Sequence, residues 1–123
     1  PAMNLIPGRI HAAGRKPVLQ AGNMEFALPE RVHGLLKPGQ EATIGIRPTD
    51  IEIVAKATKG AHEAHLEVTE YLGTEALLDL RLGDMEIAAL VPAAKRPGDD
   101  TAVWLSFNMD NLHVFDTASG RAI

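Results

Sequence analysis

Two stretches of the chain decide the fold by repeating one pattern: Lys37-Pro38-Gly39-Gln40-Glu41-Ala42-Thr43-Ile44-Gly45-Ile46 and Arg96-Pro97-Gly98-Asp99-Asp100-Thr101-Ala102-Val103-Trp104-Leu105. Each has a cation, Pro-Gly, two polar or acidic residues, two small residues and then an apolar run. The Pro-Gly pairs predict type II turns with Gly39 and Gly98 at positive φ. Each apolar run predicts a strand that points inward with Ile44 and Ile46, or with Val103 and Leu105.

Two further blocks recur in the same order. Residues 24–28 match 85–89, and residues 50–54 match 111–115, both at an offset of 61, whereas Pro38 and Pro97 differ by 59. Three blocks in one order predict the duplication of a β unit. We therefore expect two β units that occupy roughly residues 1–62 and 63–123.

Turn residues punctuate the chain at short intervals, with runs rich in Val, Ile, Leu and Thr between them. This pattern predicts an all-β barrel or sandwich of short antiparallel strands. Leu78, Leu80 and Leu82 should share one face, and Gly83-Asp84 should turn the chain into a hairpin. Leu66 and Val68 are likewise expected on one face. Helix is expected only as single turns at 30–36 and 49–52.

Composition excludes several classes of protein. The 123 residues suffice for one domain or two small subdomains, and none is cysteine. No stretch approaches the roughly 20 apolar residues of a membrane span. A net charge of −4 with 4% aromatic residues disfavours nucleic-acid binding. The start at Pro1 favours a piece of a longer protein.

Candidate catalytic groups have simpler explanations. His62 and His65 are three residues apart at the entry to a strand, where they would point to opposite faces rather than share a metal ion. Asp99 and Asp100 follow a Pro-Gly pair and are expected to be turn residues. The sequence has no Gly-Lys-Ser/Thr loop for phosphate. We therefore predict no catalytic, cofactor-binding or metal-binding residue in this chain.

Trp104 is the most informative single side chain. With the offset of 59 its counterpart is Gly45, and it should face away from the core side of its strand. Such a large apolar group is expected to be covered by the other β unit or by a partner subunit. The alternative is that it caps a barrel edge within one unit. The candidate interface or structural residues are Trp104, Phe107, His113 and Phe115.

Four motifs in order carry a resemblance to a known family. They are Pro1-Ala2-Met3-Asn4-Leu5, Gly45-Ile46-Arg47-Pro48-Thr49-Asp50-Ile51, Glu70-Tyr71-Leu72-Gly73-Thr74-Glu75, and Leu112-His113-Val114-Phe115-Asp116 with Gly120. The chain resembles the transport-associated OB (TOBE) domain of ATP-binding subunits from ABC importers of the maltose type. Within that family it looks closer to glycerol-phosphate importers.

The resemblance implies OB-like barrel units and a regulatory domain without catalysis. An ATPase domain would precede Pro1 and would hold ATP and Mg²⁺, so no cofactor is expected here. The domain would lie in the cytoplasm, peripheral to the inner face of the bacterial cell membrane. It would form a homodimer, contact the permease subunits indirectly and, in some members, receive a regulatory protein.

A small oxyanion-binding OB module is the alternative function. Related molybdate-binding domains carry a Ser-Ala-Arg-Asn-like segment. Here Pro1-Ala2-Met3-Asn4 lacks the arginine that would hold an anion.

Overall fold

The computed structural model describes residues 2–13, 16–98 and 101–123. They form strands and four short 3-10 helices, which confirms the all-β prediction. The strands are β1 (Asn4–Ala13), β2 (Lys16–Ala21), β3 (Met24–Ala27), β4 (Glu41–Ile46), β5 (Ile51–Val54), β6 (His62–Leu72), β7 (Glu75–Leu82), β8 (Met85–Pro92), β9 (Ala102–Phe107) and β10 (His113–Asp116). The 3-10 helices are Glu30–Leu35, Pro48–Asp50, Ala93–Lys95 and Met109–Asn111. The first confirms the turn predicted at 30–36, and the second overlaps the turn predicted at 49–52, of which residues 51–52 belong to β5 instead. Within the described ranges, no helix is long and apolar enough to cross a membrane.

The strands form two five-stranded sheets, each in its own compact unit. Unit 1 contains Arg47–Asn108 with the residues up to Asn4, and its sheet has the order β5-β9-β6-β7-β8. Unit 2 contains Leu5–Ile46 and Met109–Ile123, and its sheet has the order β10-β4-β1-β2-β3.

These units do not follow the predicted halves 1–62 and 63–123. The repeat is visible in the strand order, because β1–β5 are followed by β6–β10 with a 3-10 helix before each fifth strand. The fifth strands, however, are exchanged: β10 pairs with β4, and β5 pairs with β9. Each unit therefore has four strands from one repeat and the last strand from the other.

Strand register shows that one offset of 61 relates the repeats from β2 onward. Leu19 lies opposite Phe26, and Leu80 lies opposite Ile87, each 61 positions later. Thr43 lies opposite Phe115, and Trp104 lies opposite Val54, so adding 61 to Thr43 gives Trp104. The predicted equivalence of Trp104 with Gly45 is therefore wrong.

The Pro-Gly turns explain the offset of 59. Gly39 has a φ of 84°, and the backbone N–H of Gln40 donates to the carbonyl of Lys37 at 3.0 Å, as a type II turn requires. The same prediction for Gly98 is wrong, because its φ is not positive. Residues 99–100 stand between Gly98 and Thr101 where Gly39 leads directly to Gln40, so the second Pro-Gly pair lies two residues farther from its strand. The turn prediction for Asp99 and Asp100 lies outside the described residues.

The cores consist of alternating strand residues. The predicted inward side chains Ile44, Ile46, Val103 and Leu105 are all buried. Leu78, Leu80 and Leu82 are buried as predicted, and Leu82 pairs with Met85 across the hairpin turn.

A β-bulge overturns the expectation for β6. The register shifts between Leu66 and Val68, so Leu66 is buried whereas Val68 is 54% exposed. A bulge inserts one residue into a strand and moves every later side chain to the opposite face. The last part of β6 therefore presents the face opposite to the one predicted.

Candidate functional site

Trp104 lies on β9 between Val54 of β5 and Glu63 of β6. Its neighbours Val103 and Leu105 are buried, so the indole points away from the core of unit 1, as predicted, and it is half-buried. Lys56 Nζ lies 5.4 Å from the ring centroid, which is cation–π geometry. Part of the cover therefore comes from the same unit, and cover by a partner subunit stays a prediction.

Phe107 is a structural residue of unit 1. It is 6% exposed, and its ring centroid lies 5.3 Å from that of His62. Burial lowers the pKa of His62, so its imidazole is held toward the neutral form.

His113 and Phe115 lie on β10, on the side opposite to the buried Val114. Their rings stack with centroids 6.2 Å apart, and both are half-buried. Phe115 lies opposite Thr43 on β4, the counterpart of Trp104 opposite Val54. The two sheets thus have the same cross-strand pair of one aromatic and one β-branched residue, but the aromatic residue is on the fifth strand in unit 2 and on the fourth strand in unit 1.

Asp116 ends β10 and organises the turn that follows, although it was not among the predicted site residues. Its carboxylate accepts hydrogen bonds from the Ser119 backbone N–H at 3.0 Å and from Gln40 Nε2 at 3.1 Å. Hydrogen bonds from Ser119, and then from Gln40, lower the pKa of Asp116. Gly120 completes the turn at a φ of 73°, and Ile123 N donates to the Val114 carbonyl at 2.8 Å. The tail thereby covers the outer edge of β10.

Asn4 is the second polar residue outside the predicted set of site residues. Its Nδ2 donates to the Ala88 carbonyl and its Oδ1 accepts from the Ala88 N–H, both at 2.8 Å. Ala88 belongs to β8, an edge strand, so the carboxamide takes the place of one residue of a neighbouring strand. The side chain is 8% exposed, which makes this pair of hydrogen bonds structurally important.

Each unit also has an open cavity. In unit 2, Lys16, Arg31 and His33 line about 720 Å³ together with apolar residues and two carboxylates. Arg31 donates to the carbonyls of Met109 and Leu112, and His33 Nε2 lies 2.8 Å from the Leu28 carbonyl. Arg31 and His33 therefore stabilise the backbone around the cavity through these hydrogen bonds. In unit 1 a smaller cavity of about 310 Å³ lies between the edge strands β5 and β8.

His62 and His65 lie on β6 with an odd spacing, as predicted, so they do not converge. Among the described residues, no three His, Asp or Glu side chains are grouped to hold a metal ion. The Asn4 and Asp116 side chains cap a strand edge and a turn, respectively.

The sequence matches two domain families. Residues 1–51 match the MalK OB fold domain. Residues 44–115, more than half of the chain, match the TOBE domain. The chain belongs to the TOBE domain family. This confirms the resemblance drawn from the four motifs.

The TOBE domain has full-length matches among ATP-binding subunits of importers. It is 31% identical over 123 residues to the sn-glycerol-3-phosphate import ATP-binding protein UgpC of Salmonella choleraesuis (strain SC-B67), and 30% identical to UgpC of Escherichia coli O157:H7. Each match covers 100% of this chain and 33% of the relative, so the chain spans a third of their length. It aligns with their C-terminal region.

A solved structure shares the fold of this TOBE domain. The cytoplasmic molybdate-binding protein ModG, crystallised with molybdate bound, superposes with a TM-score of 0.74 over 92% of this chain and 95% of that one. Sequence identity is 14%, so the likeness shows the fold alone.

Proposed function

We propose that this chain is the C-terminal regulatory and dimerisation domain of the ATP-binding subunit of a bacterial ABC importer for glycerol phosphate or a carbohydrate. It has no catalytic activity of its own. The observation that carries the proposal is the alignment of all 123 residues with one third of the UgpC subunits. The sequence also lacks a phosphate-binding Gly-Lys-Ser/Thr loop.

In this proposal ATP and Mg²⁺ bind to a separate ATPase domain of the parent protein. The TOBE domain supplies a contact far from the nucleotides, on the cytoplasmic side of the membrane. A second contact raises the effective concentration of one subunit near the other. Two ATP-binding subunits therefore stay together while their nucleotide sites open, and the permease subunits are contacted through the ATPase domains. A regulatory protein could act by binding the same domain.

Exposed apolar side chains support a role in contacts. Leu5, Leu35, Val68, Tyr71 and Leu72 are each about half or more exposed. Val68 and Leu72 lie on the same side of β6, and grouped exposed apolar side chains mark contact surfaces. Arg96 covers one side of the Tyr71 ring at 5.3 Å and is hydrogen-bonded to its hydroxyl.

Sedimentation and calorimetry on the 123-residue chain test this function. We expect a weak dimer, with a dissociation constant in the micromolar range or above, because the area without the ATPase domain is small. We expect no ATP binding by the chain, and stoichiometric ATP binding by the parent protein. A monomer at the highest soluble concentration would count against dimerisation, and tight binding of ATP or molybdate to the chain would overturn the assignment.

A further inference from the structure

The outer side of β6, β7 and β8 in unit 1 has an unusual composition. Three rows of directly paired residues form it: Val68–Asp79–Ala88, Glu70–Leu77–Leu90 and Leu72–Glu75–Pro92. The neighbouring rows point inward, since Leu78 and Ala89 are buried. We call these nine residues the β6–β8 outer face. Six are apolar and three are acidic, whereas the solvent side of an antiparallel sheet is ordinarily polar throughout.

The face is open to solvent, and its acidic groups form no ion pair with the described Lys and Arg side chains. Val68 and Leu72 are 54% and 49% exposed, and Glu70, Glu75 and Asp79 are exposed too. In the next row on the same side of the sheet, Arg81 pairs with Glu67 at 3.1 Å and with Glu86 at 4.0 Å, so its charge is already matched. Within residues 2–13, 16–98 and 101–123, no such ion pair involves Glu70, Glu75 or Asp79.

Charge argues for a cationic occupant and against a second copy of the same face. By sequence, unit 1 has eleven Asp and Glu against six Lys and Arg, a net −5, whereas unit 2 has five against six, a net +1. Two copies of the face would bring three carboxylates against three. Like charges in an interface are unfavourable, whereas lysine or arginine opposite them would be complementary.

Area argues for an occupant on the same polypeptide. Three strands and five residues along each give about 14 by 17 Å, or roughly 240 Å². A stable contact between free proteins needs about 800 Å² on each partner. Asn4 is bonded to Ala88, which is in a row of the face, so the chain before Asn4 approaches unit 1 at this sheet. A tethered partner offsets the small area through effective concentration.

We propose that the β6–β8 outer face binds an apolar surface with a lysine or arginine rim on the ATP-binding part of the same polypeptide. The inference rests on the proposed function, because that function places an ATP-binding part before Pro1. The apolar centre of the face supplies the contact, and its three carboxylates select the cationic rim.

Thiol labelling tests the docking. The chain has no cysteine, so Val68→Cys introduces a single thiol on the face and Thr58→Cys a control in an exposed loop. Maleimide labelling of each is followed by peptide mass spectrometry in the 123-residue chain and in the parent protein. If the contact dissociates near 0.1 mM and the tether gives about 1 mM, Val68→Cys should label about tenfold more slowly in the parent. Thr58→Cys should label equally in both.

Charge reversal makes the test specific. Glu70→Lys with Asp79→Lys should restore fast labelling of Val68→Cys in the parent, whereas the matched pair Glu25→Lys with Glu63→Lys, both exposed and outside the face, should not. Circular dichroism on the 123-residue variants confirms that they fold. Equal labelling in both proteins overturns the proposal, as does protection that survives charge reversal. Protection that rises with the concentration of the 123-residue chain would indicate a second copy and also overturn it. ATP binding by the parent separately decides the proposed function.

Discussion

At the scale of single residues, two polar side chains complete the backbone hydrogen bonding near the two ends of the chain. Asn4 caps the open edge of β8, and Asp116 caps the turn after β10. Both lie in motifs that carried the family resemblance, yet neither was predicted as a site residue. The Asn4 contact joins residues 84 positions apart, and such a contact leaves no local pattern in a sequence.

Asn4→Ala should lower the free energy of unfolding by about 1–3 kcal/mol, because it leaves the part-buried backbone donor and acceptor of Ala88 without the carboxamide. Urea unfolding followed by circular dichroism measures this. Lys59→Ala, in an exposed loop, is the control and should change little. A loss no greater than that of the control would show that solvent replaces the carboxamide.

Ser119→Ala and Gln40→Leu should each raise the pKa of Asp116, since each removes a hydrogen bond that favours the carboxylate. The pKa is lowered on folding, so the stabilisation is present above the pKa of the unfolded chain and is lost as pH falls through the folded value. NMR titration of the Asp116 carboxyl checks the shift. Ser106→Ala, on β9, should leave the titration unchanged; equal curves for all variants would contradict the assignment.

At the scale of elements, the equivalent pairs Thr43–Phe115 and Val54–Trp104 explain where the aromatic residues belong. Each lies where the exchanged fifth strand meets the fourth strand of the other repeat. The offset of 59 taken from the Pro-Gly pairs makes Gly45 the counterpart of Trp104. That offset is wrong for the strand, because two additional residues follow Gly98. Only the ladder register, which counts residues across strands, corrects such an error.

Lys56→Ala should shift the emission of Trp104 to longer wavelength, because the ammonium group and its stem cover one side of the indole. The chain has one tryptophan, so the signal is unambiguous. Lys59→Ala serves as the matched control. Emission typical of a fully exposed indole in the unmodified chain, unchanged on dilution, would contradict both this cover and contact with a partner.

At the scale of the whole molecule, strand exchange makes the two repeats interdependent. The predicted half 1–62 contains β1–β4 without β10, and it contains β5 without β9. The half 63–123 contains β6–β9 without β5, and it contains β10 without β4. Each half leaves a sheet edge and part of an apolar core uncovered. The free energy of unfolding of a small domain is too low to tolerate that loss.

Fragments 1–62 and 63–123 should therefore be largely unfolded alone and should fold when mixed in equal amounts. Far-ultraviolet circular dichroism and analytical size exclusion measure both states. Fragment 63–108, which lacks β10, is the control and should complement 1–62 poorly. Independent folding of either half would show that the exchanged strands contribute little.

The sequence by itself determined the all-β class, the repeat, the hairpin at Gly83-Asp84 and the inward faces of Ile44, Ile46, Val103 and Leu105. These follow from turn chemistry and from the two-residue period of strands, which are local. The tertiary structure alone decided which strand completes each sheet, where the bulge turns Val68 outward and what Asn4 binds. Those outcomes depend on pairing between segments that are distant in the sequence. Which pairing has the lowest free energy is decided only when the whole chain folds and buries its apolar faces.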